Sequence, residues 1–544
     1  MQRPWIKTYG DVIPATINPD AWKSVRDLLD AAMTKFADKP AFRSFGQTLS
    51  YTQVDTRSRA LAAFLQTKLG VKKGDRVAVM TPNILAFPLA MIANVRVGAI
   101  QVNVNPLYTA RELEHQLNDA GVETIVIFSG STATLAEAIG ATKIKNVIVA
   151  GVGDGSDAQL PSPPVDPRLT NVVSLADALK QGASMQFTPP PLRGDDVLFL
   201  QYTGGTTGLS KGATLSHRNL VANTEQFKGM MPAATLPGQE TIVTAIPLYH
   251  IFALMVNFIT YFSVGADNWL VADPRNMDAF VDVMKAARPT VFMGVNTLYA
   301  GLTMHPRIGE VDWSRLKLPG GGGAAVVGAV SDRWKAITGC FIREGYGLSE
   351  TSPVVSFNPA FIQEFSGTTG LPLPSTDVKL LDDENREVAI GEAGEVCVKG
   401  PQVMLGYWNK PDANKQAFTA DGYFRTGDVG VIDGAGFLKI VDRKKDMILV
   451  SGFNVYPNEI EAVASGCAGV AECACIGVPD DKTGEAAKLF VVKKPDASVT
   501  EADIIAHCRQ EMTAYKVPKH VVFVAALPKS NVGKILRKDL RAAG

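Results

Sequence analysis

The chain has 544 residues, of which 46% are hydrophobic and 20% are charged. This length predicts three or four structural units, and the composition is sufficient for a large buried core. Basic and acidic side chains balance at 54 each, so the sequence lacks the basic excess that a nucleic-acid partner normally requires. A neutral formal charge does not exclude weak contact with a membrane.

Strand and helix patterns alternate in the first part of the chain. A capping box from Thr109 to Glu112 opens one of the helices, and the stretch 151–168, rich in proline, glycine and aspartate, is predicted to be a surface loop. This βαβα order predicts a parallel sheet covered by helices. The predicted elements are a strand at 76–80, a helix from 85 to about 97, a strand at 100–104, a helix from 110 to about 121 and a strand at 122–128.

The N-terminus, one apolar run and the cysteines bear on location. No apolar core and no cleavage site follow Met1, so no signal peptide is expected. The apolar run from Ile251 to Ala266 is short for a membrane span and contains Asn257, which favours a buried helix. The six cysteines lack zinc-site spacing and are predicted to be reduced and mostly buried, as in a cytosolic protein.

The C-terminal part of the chain has a different order of elements. Helices and strands no longer alternate one for one, which predicts a small α+β unit. The predicted elements are a helix at 457–465, strands at 472–478 and 487–493, a helix at 501–512 and a strand at 521–524.

One short segment, directly after the apolar strand 197–201, combines glycines, hydroxyl side chains and a lysine. Glycines let the backbone turn several N–H groups toward an anion, threonine hydroxyls add donors or a ligand for Mg²⁺, and lysine adds a charge. A Walker A loop is excluded, because Lys211 is followed by Gly212 and Ala213 rather than by Ser or Thr. The segment predicts a loop that binds nucleotide phosphates; the simpler alternative is a flexible surface loop. It reads Tyr202-Thr203-Gly204-Gly205-Thr206-Thr207-Gly208-Leu209-Ser210-Lys211-Gly212.

Four further segments carry side chains suited to a nucleotide site. Small residues let a flat base approach the backbone, a Glu near a phosphate loop requires a cation between them, and an Asp can accept from ribose hydroxyls. Each segment alone also has a simpler explanation. In chain order, these are a packing turn, a solvated strand end, a charged surface turn and a set of solvated lysines. The segments are Gly321-Gly322-Gly323-Ala324-Ala325, Glu344-Gly345-Tyr346-Gly347-Leu348-Ser349-Glu350-Thr351, Tyr423-Phe424-Arg425-Thr426-Gly427-Asp428 with Asp442-Arg443-Lys444-Lys445-Asp446, and Pro528-Lys529-Ser530-Asn531-Val532-Gly533-Lys534-Ile535-Leu536-Arg537-Lys538.

These five segments, in this order, resemble the signature segments of the adenylate-forming enzymes. That family comprises acyl-CoA synthetases, peptide-synthetase adenylation domains and firefly-type luciferases, and the resemblance covers most of the chain. Two strings, at 441–448 and 451–457, resemble bacterial long-chain fatty acid–CoA ligases in particular. They read Val441-Asp442-Arg443-Lys444-Lys445-Asp446-Met447-Ile448 and Ser451-Gly452-Phe453-Asn454-Val455-Tyr456-Pro457.

The resemblance implies an α/β fold in two domains. The large N-terminal domain, residues 1–441, would consist of parallel-rich sheets covered by helices and would bind ATP and the fatty acid. The small, mobile α+β C-terminal domain, residues 442–544, would carry the catalytic lysine and rotate about a hinge at Asp442.

The resemblance also implies roles for individual residues. Lys534 would be the catalytic lysine that reaches into the large domain, and His250 would lie by the substrate carboxylate, although a lone histidine beside an apolar helix is more often a core residue. Glu350 would bind Mg²⁺, with Thr203 as the second protein contact. Many relatives have a second lysine where this chain has Leu449, which leaves that contact in doubt. The other residues implied to bind ATP or coenzyme A are Gly204, Gly205, Thr206, Thr207, Gly208, Lys211, Gly322, Gly323, Glu344, Gly345, Tyr346, Gly347, Ser349, Asp428, Arg443, Lys445 and Gly452.

Among these, Tyr346 is suited to stacking on adenine and Asp428 to binding the ribose. Arg443 would lie near the ribose, and Gly452 would border the channel for the thiol of CoA. The implied reaction activates a long-chain fatty acid with ATP to an acyl-adenylate and transfers the acyl group to CoA.

Four alternative functions are weighed on the sequence. The acid could be medium-chain or aryl, the protein could be a luciferase-like oxidoreductase, or it could bind ligands without catalysis. The intact Glu350, Asp428 and Lys534 argue against binding without catalysis. The protein could also be a peptide-synthetase-type adenylation module, but such a module would need a carrier domain, which is not expected in this sequence.

The implied substrate is an amphiphile, so we expect a cytoplasmic enzyme that associates peripherally with the cytoplasmic face of the inner membrane. The partners implied are the fatty acid, ATP and CoA. The oligomeric state is left open, with a homodimer among the options.

Overall fold

The computed structural model describes residues 3–203, 210–451, 453–530 and 533–543, and in these residues the chain forms four β-sheets. The strands are β1 (Pro40–Ser44), β2 (Gln47–Ser50), β3 (Arg76–Met80), β4 (Ile100–Asn103), β5 (Thr124–Phe128), β6 (Asn146–Ala150), β7 (Val172–Ser174), β8 (Val197–Thr203), β9 (Lys211–Ser216), β10 (Thr241–Thr244), β11 (Asp267–Leu270), β12 (Val291–Gly294), β13 (Leu318–Gly321), β14 (Arg343–Gly347), β15 (Val354–Phe357), β16 (Leu371–Pro372), β17 (Asp377–Leu381), β18 (Ala393–Lys399), β19 (Gly406–Tyr407), β20 (Phe424–Ile432), β21 (Leu438–Arg443), β22 (Ile448–Val450), β23 (Phe453–Val455), β24 (Val470–Asp480), β25 (Gly484–Lys493) and β26 (His520–Phe523).

Helices of three kinds connect and cover these sheets. The α-helices are α1 (Pro4–Thr8), α2 (Val25–Lys35), α3 (Tyr51–Ala63), α4 (Ala86–Val97), α5 (Ala110–Ala120), α6 (Thr132–Ala138), α7 (Leu175–Gly182), α8 (His217–Met230), α9 (Tyr261–Ser263), α10 (Met277–Ala287), α11 (Asn296–Met304), α12 (Gly328–Thr338), α13 (Pro411–Ala417), α14 (Pro457–Ser465), α15 (Glu501–Glu511) and α16 (Arg537–Ala543). The π-helices are Phe64–Lys68 and Ala253–Thr260, and the 3₁₀ turns are Ser129–Ser131, Ile139–Ala141, Pro232–Ala234, Ile308–Glu310, Ser349–Thr351 and Ala514–Lys516.

Two large sheets dominate the N-terminal part, and both are mainly parallel. Sheet I has the order β19-β9-β8-β4-β3-β5-β6-β7 and is parallel from β8 to β7, with β9 and β19 antiparallel at one edge. Sheet II has the order β16-β15-β14-β13-β12-β10-β11-β1-β2 and is parallel from β14 to β1. The predicted parallel-rich α/β architecture is confirmed.

Sheet III, with the order β17-β18-β20-β21, is wholly antiparallel and lies outside the predicted βαβα pattern. Sheet IV belongs to the C-terminal part and has the order β23-β22-β25-β24, with β26 paired parallel to β25. Helices α14 and α15 accompany sheet IV, so the predicted small α+β unit is also confirmed.

Local sequence signals account for several elements. The capping box before α5 forms as predicted: the Thr109 amide donates to Oε2 of Glu112 at 2.8 Å, and the Glu112 amide donates to Oγ1 of Thr109 at 3.4 Å. Gly121, at φ +68°, ends that helix in the left-handed conformation. Helix α4 is apolar on nearly every side and is entirely buried, in contact with α2, α3 and sheet I.

The apolar run after His250 forms a buried helix, as predicted. It starts at Ile251, continues as the π-helix Ala253–Thr260, in which every residue is buried, and ends in α9. Within the described ranges, no helix is both long and apolar enough to cross a membrane. π-helical segments are rare and frequently lie at functional sites.

The cysteines are free thiols in the structure. Cys340 is half-buried and the other five are buried, which confirms the prediction that they are mostly buried. Burial raises the pKa of Cys508 to about 11, so this thiol remains protonated at neutral pH.

Candidate active site

The hairpin of β8 and β9 joins the two ends of the predicted phosphate loop. Thr203, the last residue of β8, and Lys211, the first residue of β9, are paired across the hairpin. A hydroxyl and an ammonium are therefore adjacent at the mouth of the loop. Five predicted phosphate contacts lie outside the described residues: Gly204, Gly205, Thr206, Thr207 and Gly208.

Glu350 lies in the turn Ser349–Thr351, which contacts β8 and β9. Its side chain is buried, and the Tyr407 hydroxyl donates to its Oε1 at 2.8 Å. Nζ of Lys211 lies 4.7 Å from the centre of the Tyr407 ring, so the tyrosine connects the cation and the carboxylate. Burial raises the pKa of Glu350, and the bond from Tyr407 opposes that rise only in part. A cation beside Glu350 would stabilise its charged form.

The donors in this region fit Mg²⁺. Mg²⁺ takes oxygen ligands and is usually held by one or two carboxylates together with substrate phosphates and water. Thr203 supplies a hydroxyl and Glu350 supplies a buried carboxylate, and the strand and the turn that carry them are in contact. Both side chains are therefore suited to be ligands.

Asp428 is the residue that was predicted to contact the ribose. It is buried, and its Oδ2 accepts a 2.6 Å hydrogen bond from the Tyr346 hydroxyl. Its Oδ1 lies 3.6 Å from Nε of Arg443, its partner across β20 and β21. Burial raises the pKa of Asp428, while Arg443 and Tyr346 act in the opposite direction. Asp428 therefore holds the hydroxyl of Tyr346 in place. Tyr346 also lines the cavity described below.

Close packing explains the small residues around this cavity. A Cβ added at Gly347 would lie 2.1 Å from the Pro353 carbonyl oxygen, and one added at Gly345 would lie 2.4 Å from the Phe357 ring. Neither position can accept a side chain without a shift of its neighbours. The predicted residues that line the cavity are Gly322, Gly323, Gly345, Tyr346, Gly347, Ser349, His250 and Lys534.

Glu344 differs from the residues that follow it in β14. Its side chain is buried beside the backbone amide of Val326, and burial raises its pKa to about 8. Its backbone carbonyl accepts hydrogen bonds from both the amide and Nδ2 of Asn358. The carboxyl of Glu344 therefore has a partner in the backbone between β13 and α12, and Glu344 is not among the described residues that line the cavity.

Lys534 lines the cavity from a loop of the C-terminal part that lies against residues of the N-terminal part. A Cβ built on Gly323 would lie 3.5 Å from Cε of Lys534. The preceding Gly533 has φ +78°, and a Cβ there would lie 2.6 Å from Oγ1 of Thr297. Only glycine fits at this close approach, which gives the Gly533-Lys534 sequence a structural reason.

The ammonium of Lys534 faces charges of both signs. Burial and the nearby Arg443 lower its pKa to about 8, against the opposing effects of Asp428 and Glu350. The group is therefore charged at neutral pH but loses its proton more readily than an ordinary lysine.

His250 also lines the cavity, and burial together with Lys534 lowers its pKa to about 3. The imidazole is therefore neutral at physiological pH. Its Nδ1 accepts from the Phe252 amide at 3.3 Å, so the ring proton is on Nε2. His250 can thus offer one hydrogen-bond donor without adding charge.

In the adenylation reaction that the sequence resemblance implies, we expect the rate to fall at alkaline pH, because Lys534 would be the catalytic lysine and loses its charge there. Its pKa of about 8 means that the ammonium is present below that pH and absent above it, so kcat/KM should decline as pH rises through about 8. Lys534→Arg keeps the charge at all accessible pH values and should move this decline upward, at a lower absolute rate. An alkaline decline at the same pH in both proteins would show that another group causes it.

Part of the cavity lining is apolar. Phe227 of α8 and Phe357 of β15 meet edge to face, with ring centres 5.4 Å apart. Ile251, Phe252 and Val256 of the apolar helix also line this space. The cavity lining thus combines the polar groups of His250 and Lys534 with aromatic and aliphatic side chains.

Asp442 connects sheet III with the C-terminal part. Its backbone pairs with Val429 in β20. Its buried carboxylate accepts from the Asn458 amide at 2.9 Å, near the start of α14, and lies 3.3 Å from Nη1 of Arg537. The backbone of Asp442 therefore belongs to sheet III, while its side chain is bound to C-terminal residues.

Two predicted contacts, Lys445 and Gly452, and the departure from the family pattern at Leu449 lie near this junction in the sequence. Lys445 is at the surface, and its partial burial together with Arg443 lowers its pKa. Leu449 is exposed, and its amide donates to Oε2 of Glu485 at 2.6 Å. Gly452 lies outside the described residues.

Two structural contacts of the site were not predicted. Tyr407 binds Glu350. In the local sequence, only the position of Tyr407 between Gly406 and Trp408 could have drawn attention to it. Asn83 holds the turn before His250: its Nδ2 donates to the carbonyls of Thr244 at 3.1 Å and Ile246 at 2.9 Å, and its Oδ1 accepts from the Leu248 amide at 2.8 Å. Asn83 follows the carboxyl end of β3, where site residues of parallel sheets gather, and this position could have drawn attention to it.

Comparisons with known proteins agree over nearly the whole length. Residues 29–408 match the family described as AMP-binding enzyme, and residues 459–534 match the AMP-binding enzyme C-terminal domain. The long-chain-fatty-acid–CoA ligase of Salmonella typhimurium is 49% identical over 99% of this chain and 98% of its own, and that of Haemophilus influenzae is 42% identical with the same coverage. ATP-bound MatB from Rhodopseudomonas palustris has a TM-score of 0.83 and 31% identity, covering 96% of this chain and 99% of its own. This chain therefore belongs to the AMP-binding enzyme family, the adenylate-forming enzymes that its five sequence segments resemble.

Proposed function

We propose that this protein is a long-chain fatty acid–CoA ligase that activates its substrate with ATP through an acyl-adenylate and releases AMP and pyrophosphate. The observation that carries the proposal is the 49% identity to the Salmonella typhimurium long-chain-fatty-acid–CoA ligase over 99% of the chain. An aryl substrate is less well supported, because the feruloyl-CoA synthase from Amycolatopsis is 34% identical over 92% of the chain.

The cavity supports an amphiphilic acid. Its polar lining residues offer the ammonium of Lys534 and the neutral imidazole of His250, which suit a carboxylate. Its apolar lining residues, among them Phe227, Phe357 and Val256 of the π-helix, suit an alkyl chain. Each buried CH₂ contributes about 0.8 kcal/mol, so a long chain can supply most of the binding free energy.

The first step brings a negative carboxylate to phosphates that are already negative. A carboxylate oxygen forms a bond to the α-phosphorus of ATP, the bond from that phosphorus to the bridging oxygen breaks, and pyrophosphate leaves. We assign Lys534 to stabilising the charge at the carboxylate and α-phosphate, His250 to donating a hydrogen bond to the carboxylate, and Lys211 to the phosphates. Thr203 and Glu350 would hold Mg²⁺, which supplies positive charge at the phosphates.

The remaining nucleotide contacts follow from the same assignment. Asp428 would accept from the ribose hydroxyls through the oxygen that Tyr346 leaves free, with Arg443 beside it. Tyr346 would flank the adenine, and the glycines at 322, 323, 345 and 347 would allow its close approach.

The second step transfers the acyl group to CoA. The thiolate sulfur forms a bond to the acyl carbon, and AMP leaves. Lys534, a residue of the C-terminal part, lines the cavity. We therefore propose that residues 442–544 rotate as a small domain against residues 1–441 to admit CoA. Asp442 is a suitable hinge, because its backbone belongs to sheet III and its side chain to the C-terminal part.

We also propose that the enzyme works in the cytoplasm and associates reversibly with the cytoplasmic face of the inner membrane, where its amphiphilic substrate partitions. Release of the bound enzyme by salt or carbonate supports peripheral association, and resistance to both would contradict it. Sedimentation of the purified protein distinguishes a monomer from a homodimer.

A palmitate-dependent exchange of labelled pyrophosphate into ATP, with CoA omitted, tests the adenylation step. We expect exchange with palmitate and none without it, because the reverse of adenylation needs only acyl-adenylate and pyrophosphate. Formation of ADP and phosphate, or exchange only when CoA is present, would contradict an acyl-adenylate intermediate.

A further inference from the structure

A row of four buried amide side chains runs from helix α4 through the adjacent strands β4 and β8 of sheet I to the residue before His250. Each side chain is at most 4% exposed, and each donates an N–H to the next acceptor in one direction. The bonds of this amide row are Asn94 Nδ2 to Gln101 Oε1 at 3.0 Å, Gln101 Nε2 to Asn103 Oδ1 at 2.7 Å, Asn103 Nδ2 to Gln201 Oε1 at 2.9 Å, and Gln201 Nε2 to the Tyr249 carbonyl oxygen at 3.0 Å.

The carbonyl of Tyr249 fixes the direction of the whole row. A backbone carbonyl can only accept, so Gln201 must present its amide N–H to Tyr249 and its carbonyl to Asn103. Asn103 must then present its own N–H to Gln201, and the same constraint passes back to Gln101. The orientation of every amide in the row is thus set from the active-site end.

Polar residues are unusual at these positions. Gln101 and Asn103 lie on β4, between β3 and β8 in a parallel sheet, where strands are usually apolar throughout. A buried amide left without hydrogen-bond partners destabilises the folded state. Among the described residues, no group donates a hydrogen bond to Oδ1 of Asn94. The end of the row that lacks a partner is therefore at Asn94, and the end that is fully hydrogen-bonded is at Tyr249, next to His250.

Gln201 has two structural connections. Its backbone belongs to β8, two residues before Thr203 and the predicted phosphate loop. Its side chain holds the residue directly before His250. The same side chain therefore links the strand that leads to the phosphate loop with the turn that carries the imidazole.

We propose that Gln201 is a positioning residue for adenylation, which holds His250 at a fixed place relative to the phosphate loop through the carbonyl of Tyr249. This role rests on the proposed function, because it acts on the carboxylate and the phosphates of that reaction. Displacement of a catalytic group by about 1 Å can cost a factor of about 10² in rate.

A double-mutant cycle with His250 tests the role. Gln201→Met keeps the side-chain length and removes both hydrogen bonds; we expect it to lower the rate of palmitate-dependent pyrophosphate exchange by about 10- to 100-fold. In the His250→Ala background the same substitution should change the rate by less than about twofold, since Gln201 acts through His250. A residue needed only for stability would reduce the rate by the same factor in both backgrounds.

Gln116→Met is the matched control. Gln116 is also buried and donates to the Asn103 backbone carbonyl at 2.8 Å, so its loss removes one buried hydrogen bond without touching the turn. Because Gln116→Met removes one hydrogen bond and Gln201→Met removes two, we expect a smaller loss of thermal stability and an exchange rate within about twofold of wild type. If Gln201→Met does not fold, Gln201→Glu serves in the same cycle, because it keeps the acceptor for Asn103 and removes the donor to Tyr249.

The outcomes separate this inference from the proposed function. Wild-type protein with no palmitate-dependent exchange overturns the proposed function and the positioning role with it. An active wild type with an unaffected Gln201→Met, or with equal losses in both His250 backgrounds, overturns the positioning role alone.

Discussion

Lys534→Ala should reduce adenylation by about 10²- to 10³-fold or more, while the purified variant should still convert supplied palmitoyl-adenylate and CoA to palmitoyl-CoA. The expected loss is on the scale of removing one preorganised electrostatic contact at a developing charge. The geometry that supports it is the entry of the Gly533-Lys534 loop into the cavity beside Gly323. In the proposed rotation the loop leaves before CoA enters, so the second step should not need that contact.

The two half-reactions are measured separately, by pyrophosphate exchange and by thioester formation from synthetic adenylate. Lys538→Ala is the matched control, since Lys538 is an exposed lysine of the same segment, and it should leave both rates unchanged. Equal losses of both half-reactions in Lys534→Ala would contradict a loop that serves only the first step and would argue against the rotation of residues 442–544.

Glu350→Gln should reduce adenylation by about 10²-fold. The amide keeps the shape of the side chain and can still accept from the Tyr407 hydroxyl, so the variant removes only the negative charge. If that charge helps to hold Mg²⁺, the apparent requirement for Mg²⁺ should rise, and part of the lost rate should return at high Mg²⁺ concentration.

A titration of exchange rate against Mg²⁺ at saturating ATP provides the measurement. Glu364→Gln, an exposed carboxylate elsewhere in the N-terminal part, controls for the change in net charge. A Glu350→Gln variant with wild-type turnover at ordinary Mg²⁺ levels would exclude Glu350 from the metal site.

Local patterns predicted the elements of this fold well where the signal lies within a few neighbouring residues. The capping box at Thr109 and Glu112, the left-handed Gly121 and the helix Pro457–Ser465 all depend on backbone bonds or periodicity over short spans. Sheet III was not predicted, because antiparallel pairs such as β18 and β20 depend on which segments meet in space.

The contacts of the site show the same difference between local signals, which could be predicted, and long-range contacts, which could not. Glycines at 345 and 347 could be recognised from sequence, because small residues in a segment signal close approach. The bond between Tyr407 and Glu350 joins residues 57 positions apart, and the bonds of Asn83 to the turn before His250 span more than 160 positions. Periodicity indicates which side chains face a core, but not which distant side chain they will meet there.

The amide row is a further feature that local sequence patterns did not predict. Gln101, Asn103 and Gln201 lie on strands whose apolar neighbours predict a uniform buried core. Their polarity has a reason only when the strands are paired and the Tyr249 carbonyl lies at the end of the row.

The central claim, activation of long-chain fatty acids, is tested most directly by one set of rates. Purified protein is supplied with ATP, Mg²⁺, CoA and acids from short to long chains, together with benzoate and ferulate, and AMP and acyl-CoA are both measured. The proposed function predicts that kcat/KM is greatest for long-chain acids, and each additional CH₂ that is buried can raise it by up to about fourfold, from about 0.8 kcal/mol each. A preference for benzoate, ferulate or short acids, or AMP formation without acyl-CoA, would contradict this function.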